Sequence, residues 1–232
     1  MKTRSNPRLE LPRILLALAL TALLAGCATS PRSGKWQALF NGHDTTAWRA
    51  FCGKDFPETG WDVQDGCLHL RPGGKGGDLV TRDTFDNYEL EWDWRILPGG
   101  NNGVKYLVSE SRPNTPGPEY QMIDDATVPD ALRQTASFYE VLSPRANTAT
   151  RPPGSWNQSR LVVCGNHVEH WLNGVQVLSY ELGSAEVKAG VAKSKFKNVP
   201  GFDEKITGHI LLTNHNRETW FRNIRLRELR MK

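Results

Sequence analysis

The spacings by which proteins commonly bind metals are missing from this chain. Its four cysteines and six histidines contain no C-x-x-C, H-x-H or H-E-x-x-H arrangement, so no motif marks a structural zinc or a metalloprotease centre. No segment of the sequence repeats. The longest apolar run, Ile14 to Leu24, is interrupted by Thr21 and falls short of the ~20 residues that a membrane-spanning helix needs. Charge of one sign is in short supply, with 29 Lys and Arg against 25 Asp and Glu. Four of the basic residues and a single acid, Glu10, lie in residues 1–26, so the remainder is close to neutral. Nothing in that balance calls for nucleic acid or an anionic membrane surface as a partner. Gly73 to Gly77 is glycine-rich, but Asp78-Leu79-Val80-Thr81 behind it reads as extended rather than helical, which removes the phosphate-cradle reading.

What is present begins with a leader. Lys2, Arg4, Arg8 and Arg13 precede the apolar run, and Leu24-Ala25-Gly26-Cys27 closes it, the order of a secretory signal. The tetrapeptide resembles the lipobox of bacterial lipoproteins, in which cleavage precedes the cysteine and the thiol is diacylated. That resemblance makes residues 1–26 a signal peptide, Cys27 the lipidation site and membrane attachment, and residues 27–35 a lipidated tether. Ala28, rather than Asp, after the cysteine implies an envelope protein on the outer membrane, facing the periplasm. Residues 36–232 then form a single domain, long enough for a real hydrophobic core. Of the remaining cysteines, Cys52 and Cys67 would close a loop around Trp61 and Cys164 sits in an apolar strand; the odd number leaves the pairing open.

Periodicity predicts an all-β domain. Leu161 to Cys164 is a short apolar run closed by Gly165-Asn166, after which Val168, His170 and Leu172 alternate with Glu169 and Trp171. Asn173-Gly174 supplies the two positive-φ positions of a type I′ hairpin, and Val175 and Val177 resume the alternation. Trp61 to Gln64, Asp65-Gly66 and Cys67 to Leu70 form a second hairpin signature. The clearest alternation sets Tyr88, Leu90, Trp92, Trp94 and Ile96 against Glu89, Glu91, Asp93 and Arg95. Further strands are expected at Gly103 to Val108, Glu119 to Ile123, Phe138 to Leu142, His209 to Thr213 and Thr219 to Leu229, with a short helical turn at Ala185 to Ala192. Lys193, Lys195 and Lys197 read as a solvated face. Such a meander implies a sandwich or barrel, architectures that host lectins, glycosidases and structural modules alike.

Four features are candidates for chemistry. Glu119 and Gln121 share a strand face with Ile123, while Tyr120 and Met122 point the other way. That face is either ordinary solvent or the lining of a polar cleft. Arg222, at a strict two-residue period, shares a face with Trp220, Ile224 and Leu226. A guanidinium there must be paired, by Glu119 or Asp124, or within a structural ion pair beneath the sheet. His215, in Thr213-Asn214-His215-Asn216, lies at a strand end, where an imidazole can act as base, acid or ligand near neutral pH. Glu89, Glu91 and Asp93 suggest a glycosidase pair, whose carboxyls stand roughly 5 Å apart in retaining enzymes, although Arg95 continues their face and the wet side of a sheet explains them.

Together these segments resemble the 3-keto-disaccharide hydrolase family, also named for 3-keto-glucoside 1,2-lyase and 3-keto-2-hydroxyglucal hydratase activity. The resemblance rests on the order and spacing of Leu39-Phe40-Asn41-Gly42 with Trp48, Trp61 with Asp65-Gly66, Gly77-Asp78-Leu79-Val80-Thr81, Gly100-Asn101-Asn102-Gly103-Val104, Glu119-Tyr120-Gln121 with Asp124, Trp156-Asn157, Trp171-Leu172-Asn173-Gly174, Ser194-Lys195-Phe196 and Phe221-Arg222-Asn223-Ile224. It implies a concanavalin A-like jelly-roll sandwich of two antiparallel sheets. The implied enzyme cleaves 3-keto-glycosides made by a separate sugar 3-dehydrogenase: a base removes the C2 proton, the C1 aglycone leaves by elimination, and water can then add to the enone, so that the outcome is either a lyase or a net hydrolase. Carried onto this chain, Glu119 or His215 is the base, and Arg222, Lys105 and Gln121 bind substrate or stabilise the enolate. Asp124 and Asn157 would orient hydroxyls and Trp156 would offer a stacking face. A divalent metal ion on Glu119, His215 and water is a further option, polarising the ketone. The chain departs from the family where Thr213-Asn214-His215-Asn216 replaces a frequent Q-D-H-G and where Lys105 or a neighbour must substitute for a usual arginine. Rival classes are a noncatalytic carbohydrate-binding module, a conventional glycoside hydrolase using Glu89, Glu91 or Asp93, and an envelope-anchored structural protein.

Overall fold

Strands occupy nearly every stretch in which the sequence alternates. In a computed structural model, the described residues are 1, 32–114, 116–145 and 149–230; the expected signal peptide apart from Met1, Cys27 and the first part of the tether lie outside them. The chain divides into two units, Met1–Ser30 and Pro31–Lys232. The second contains β1 (Arg32–Ser33), β2 (Gln37–Phe40), β3 (Trp48–Ala50), β4 (Trp61–Gln64), β5 (Cys67–Leu70), β6 (Leu79–Thr81), β7 (Tyr88–Ile96), β8 (Asn101–Val108), β9 (Glu119–Ile123), β10 (Asn157–Cys164), β11 (His167–Leu172), β12 (Val175–Glu181), β13 (His209–Leu212) and β14 (Thr219–Arg230). The α-helix α1 (Ala185–Lys193) is capped by the Ser184 hydroxyl, which accepts from the Val187 N–H. Among the described residues no helix is long and apolar enough to cross a membrane.

The strands form two antiparallel sheets. The larger runs β12-β11-β10-β7-β14-β5-β4, with β1 and β2 also paired to β14, and the smaller runs β3-β6-β13-β8-β9. Arg32 and Ser33 already pair with Arg230 and Leu229, so the sheet begins inside the segment read as a tether. The alternation of β7 is realised: Tyr88, Leu90, Trp92, Trp94 and Ile96 are buried, and each such side chain contributes on the order of 1.5–3 kcal/mol on leaving water. They meet Tyr106, Tyr120 and Met122 of the smaller sheet in one core. The hairpin turns have the expected backbone, with Asp65 at φ 50, Gly66 at 74, Asn173 at 48 and Gly174 at 84. Cys52, Cys67 and Cys164 are free thiols.

Two expectations give way. Phe138 to Leu142 is not a strand, because Ala136 (φ 66) and Glu140 (φ 61) turn the chain, leaving isolated bridges from Phe138 to Tyr120 and to Leu142. Arg222 does not share a face with Ile224 and Leu226. Asn223, at φ 52, forms a bulge: Arg222 opposes Asp93 and Arg225 opposes Glu91, so two residues of β14 span the single Trp92. Ile224 and Leu226 turn into the core, and Arg222 stays outside.

Candidate active site

The register of the smaller sheet assembles a polar cluster on its outer face. Lys105 lies directly opposite Glu119, and Gly103 opposite Gln121. Directly opposed residues share a face, with Cβ atoms roughly 5 Å apart. On β9's free edge the Tyr139 N–H donates to the Glu119 carbonyl (3.1 Å) and the Gln121 N–H to the Ser137 carbonyl (3.3 Å). Glu119 therefore sits between Lys105 and Tyr139. Its carboxylate leans over Gly103, where an added Cβ would stand only 2.0 Å from Oε1. Lys105 Nζ is 3.8 Å from Oε2, and His215 Nε2 is 4.0 Å from Oε1. Glu119 and Gln121 are 7% and 3% exposed, so this face is not ordinary solvent.

His215 is held although its loop departs from the family. The Asn214 N–H donates to Asp78 Oδ1 (2.7 Å), and the Asn214 amide donates to the carbonyls of Gly74 (3.0 Å) and Gly77 (3.2 Å). Asn214 Oδ1 accepts from the Asn216 N–H at 2.9 Å. Asn216 takes φ 57, a left-handed conformation that asparagine tolerates better than most residues other than glycine. The glycine-rich loop thus anchors a histidine loop rather than a phosphate. Burial pushes the Asp78 carboxyl above its ordinary range; the Asn214 N–H, Lys105 and His215 oppose the rise and Glu119 adds to it. Asp78 and Tyr139 belong to this neighbourhood, and sequence reasoning named neither as a site residue. Asp78 had one local signal, an acid immediately before a buried strand. Tyr139 had none, since a long-range pairing with β9 places it.

Of the remaining predicted residues, all but Gln121 lie elsewhere. Arg222 Nε donates to Asp93 Oδ2 (3.2 Å) on the outer face of the larger sheet, and its guanidinium lies 4.0 Å from the centre of the Trp156 ring. Neither it nor Trp156 joins Glu119 and His215. Asp124 caps a turn, accepting from the N–H groups of Ala126 (3.3 Å) and Gly99 (2.9 Å). Asn157 is buried and braces loops, its Oδ1 accepting from the Arg151 N–H (2.9 Å) and the Asn173 amide (2.7 Å). Gln121 lies on the Glu119 face, its amide donating to Asn101 Oδ1 at 3.3 Å.

Glu89, Glu91 and Asp93 form a ladder of ion pairs. Arg227 and Arg160 hold Glu89, Arg225 holds Glu91 at 2.6 Å, and Arg222 holds Asp93. A hollow of ≈ 350 Å³ opens beside them, lined by Glu91, Asp93, Asn223 and Arg225 among others. Its carboxylates are already hydrogen-bonded to arginines, so the concavity there comes without an available acid or base. At the Glu119 cluster, by contrast, 3.8 and 4.0 Å exceed hydrogen-bond reach, so neither neighbour ties up the carboxylate. As for a metal, Glu119 and His215 supply two donors while an ammonium flanks the other carboxylate oxygen. Among the described residues no group of three His, Cys, Asp or Glu side chains is placed to hold an ion. The donor set does not fit the divalent ion that the resemblance allowed.

Fold and cluster define an antiparallel β-sandwich with a carboxylate, an ammonium and an imidazole gathered on the outer face of one sheet. The model of the 3-keto-alpha-glucoside-1,2-lyase-like domain matches residues 35–227, and the chain belongs to that family. It is 31% identical to a 3-keto-disaccharide hydrolase of Bacteroides thetaiotaomicron, over 82% of this chain and 77% of that protein. A crystal structure of a putative glycosyl hydrolase from Parabacteroides distasonis superposes with a TM-score of 0.74 at 32% identity, covering 84% of this chain and 94% of that one. The sandwich alone is shared with a non-specific endo-β-1,3(4)-glucanase of glycoside hydrolase family 16, at TM-score 0.51 and 11% identity, over 86% of this chain and all of that one.

Proposed function

We propose that this protein cleaves 3-keto-glycosides by removing the C2 proton and expelling the C1 substituent. The observation that carries this reading is Glu119, a nearly buried carboxylate between the Lys105 ammonium and the His215 imidazole and hydrogen-bonded to neither. A ketone at C3 makes the C2–H acidic, because the carbanion delocalises onto O3. Glu119 takes that proton, and the Lys105 ammonium faces the charge gathering on O3. His215, half-exposed at the rim, gives a proton to the departing oxygen. The C2–H and C1–O bonds break, a C1=C2 double bond forms, and the aglycone leaves protonated. Water then adds across the enone, hydroxyl to C1 and proton to C2, which returns a 3-keto sugar. Gln121 is a binding group beside the base, and Asp78 positions His215 through Asn214. Membership of the family and the name of the Bacteroides relative support the substrate class.

The cellular setting follows the leader. Residues 1–26 are cleaved, Cys27 carries the lipid, and the folded domain faces the periplasm from the outer membrane, where a sugar 3-dehydrogenase supplies its substrate. Incubation of the protein in deuterated water with a 3-keto-glucoside, and separately with the parent glucoside, tests the activity. The expected result is aglycone release from the keto form alone, with deuterium at C2 of the released sugar. Release from the parent glucoside would favour an ordinary glycosidase, and binding without release a carbohydrate-binding module.

A further inference from the structure

We infer that the ring of Tyr139 is the platform on which the sugar lies in this site, an assignment that rests on the reading of Glu119 as the base. A pyranose presents polar edges and an apolar C–H face. Glu119, Lys105, His215, Asp78 and Gln121 can address the edges, but none offers the face a surface. Trp156, the aromatic residue that the sequence suggested, lies on the other sheet with the guanidiniums of Arg222 and Arg95 at 4.0 and 5.1 Å from its ring centre.

Tyr139 meets the requirement by register. Phe138 bridges Tyr120 and stacks in the core on Tyr180, at 5.1 Å between ring centres. The next residue therefore projects to the opposite side, that of Glu119. Tyr139 is half-buried and packs partly against the core. Over its ring, 4.4 Å from the centre, lies the ammonium of Lys195, a solvent-exposed residue. An aromatic face covered by an exposed lysine, rather than by core side chains, is available to a ligand that displaces the lysine. Burial and the neighbouring Glu140 raise the phenol's pKa, so the ring stays neutral beside the base.

The test is titration of the protein with methyl glucoside by NMR, alongside steady-state kinetics on a 3-keto-glucoside. Tyr139→Ala should weaken binding and raise KM about tenfold while kcat stays within about threefold. Tyr139→Leu, which preserves apolar packing without the ring, should match it, and Tyr139→Phe should remain within about twofold on both readouts. Tyr139→Leu with wild-type binding would overturn the assignment. A Tyr139→Phe loss confined to kcat would also overturn it, because the phenol would then be acting in proton transfer. Lys195→Ala should change binding by less than about twofold, and a loss equal to that of Tyr139→Ala would move the contact to the ammonium and refute the platform. If methyl glucoside binds through Tyr139 yet no 3-keto-glucoside is consumed, the platform stands and the lyase reading fails.

Discussion

Gly103→Ala isolates the position of one carboxylate. The added methyl would stand 2.0 Å from Glu119 Oε1 and 2.8 Å from its Cδ and Cγ, where ordinary contact begins at 3.4 Å. The obstruction is the far end of a flexible side chain, so the carboxylate withdraws by about 1.4 Å and the strand stays in place. The backbone bonds of Gly103, its N–H to Asn102 Oδ1 and its carbonyl from the Thr213 N–H, do not involve the new atom. Stability should change by no more than about 1 kcal/mol, the scale of glycine-to-alanine effects through the unfolded chain. Displacement of a reacting group by about 1 Å costs on the order of a hundredfold in rate, so kcat/KM on a 3-keto-glucoside should fall by about that factor. Thermal denaturation and steady-state kinetics on the same preparation measure both. Full activity in a folded Gly103→Ala protein would mean that the Glu119 position does not matter to turnover.

Other perturbations separate structure from chemistry. Arg222→Ala should cost less than about 1 kcal/mol, as a half-exposed ion pair, and leave kcat unchanged; a collapse of kcat in a stable protein would return Arg222 to the site. Asn214→Ala removes the ties to Gly74, Gly77 and Asn216, so kcat should drop about tenfold with little change in melting temperature, and wild-type kinetics would show that the loop needs no anchor. His170 is buried, its Nδ1–H donating to the Ala136 carbonyl (2.9 Å) and its Nε2 accepting from the Tyr106 hydroxyl (3.0 Å). Burial lowers its pKa from 6.5 to about 4. The unfolded chain therefore binds this proton at a higher pH than the folded one. The stability it confers is complete above pH 6.5 and is lost as pH falls toward 4, by on the order of 3 kcal/mol. Denaturant melts of wild type and His170→Gln across that range should show the acid-side slope reduced in the variant; identical slopes would remove His170 as the cause.

Most of the sandwich could be read from the sequence because its signals are local. The alternation of Tyr88 to Ile96 and the Asn173-Gly174 turn each fix their own strand or hairpin. Glu119 and Gln121 were visible as two polar residues on one strand face, although the pattern does not say whether water or a site lies above them. The rest depends on pairings between distant segments. Arg222 sits on β14 of the larger sheet, no face of which reaches the outer side of the smaller one, and the bulge at Asn223 that separates it from Ile224 and Leu226 leaves no trace in a two-residue period. Tyr139 reaches the site because residues 136–139 line the edge of β9, and Asp78 because β6, β13 and β8 are neighbours in the sheet. Gly103 reads as an ordinary strand glycine until the Glu119 carboxylate is seen above it.

A 3-keto-glucoside carrying deuterium at C2 tests the central claim most directly, by following the label and the aglycone together in ordinary water with wild type and Glu119→Gln. The account predicts that each aglycone released by wild type is matched by one deuteron lost to solvent, and that Glu119→Gln releases neither. Release of a sugar that keeps its C2 deuterium, or undiminished turnover by Glu119→Gln, would contradict it.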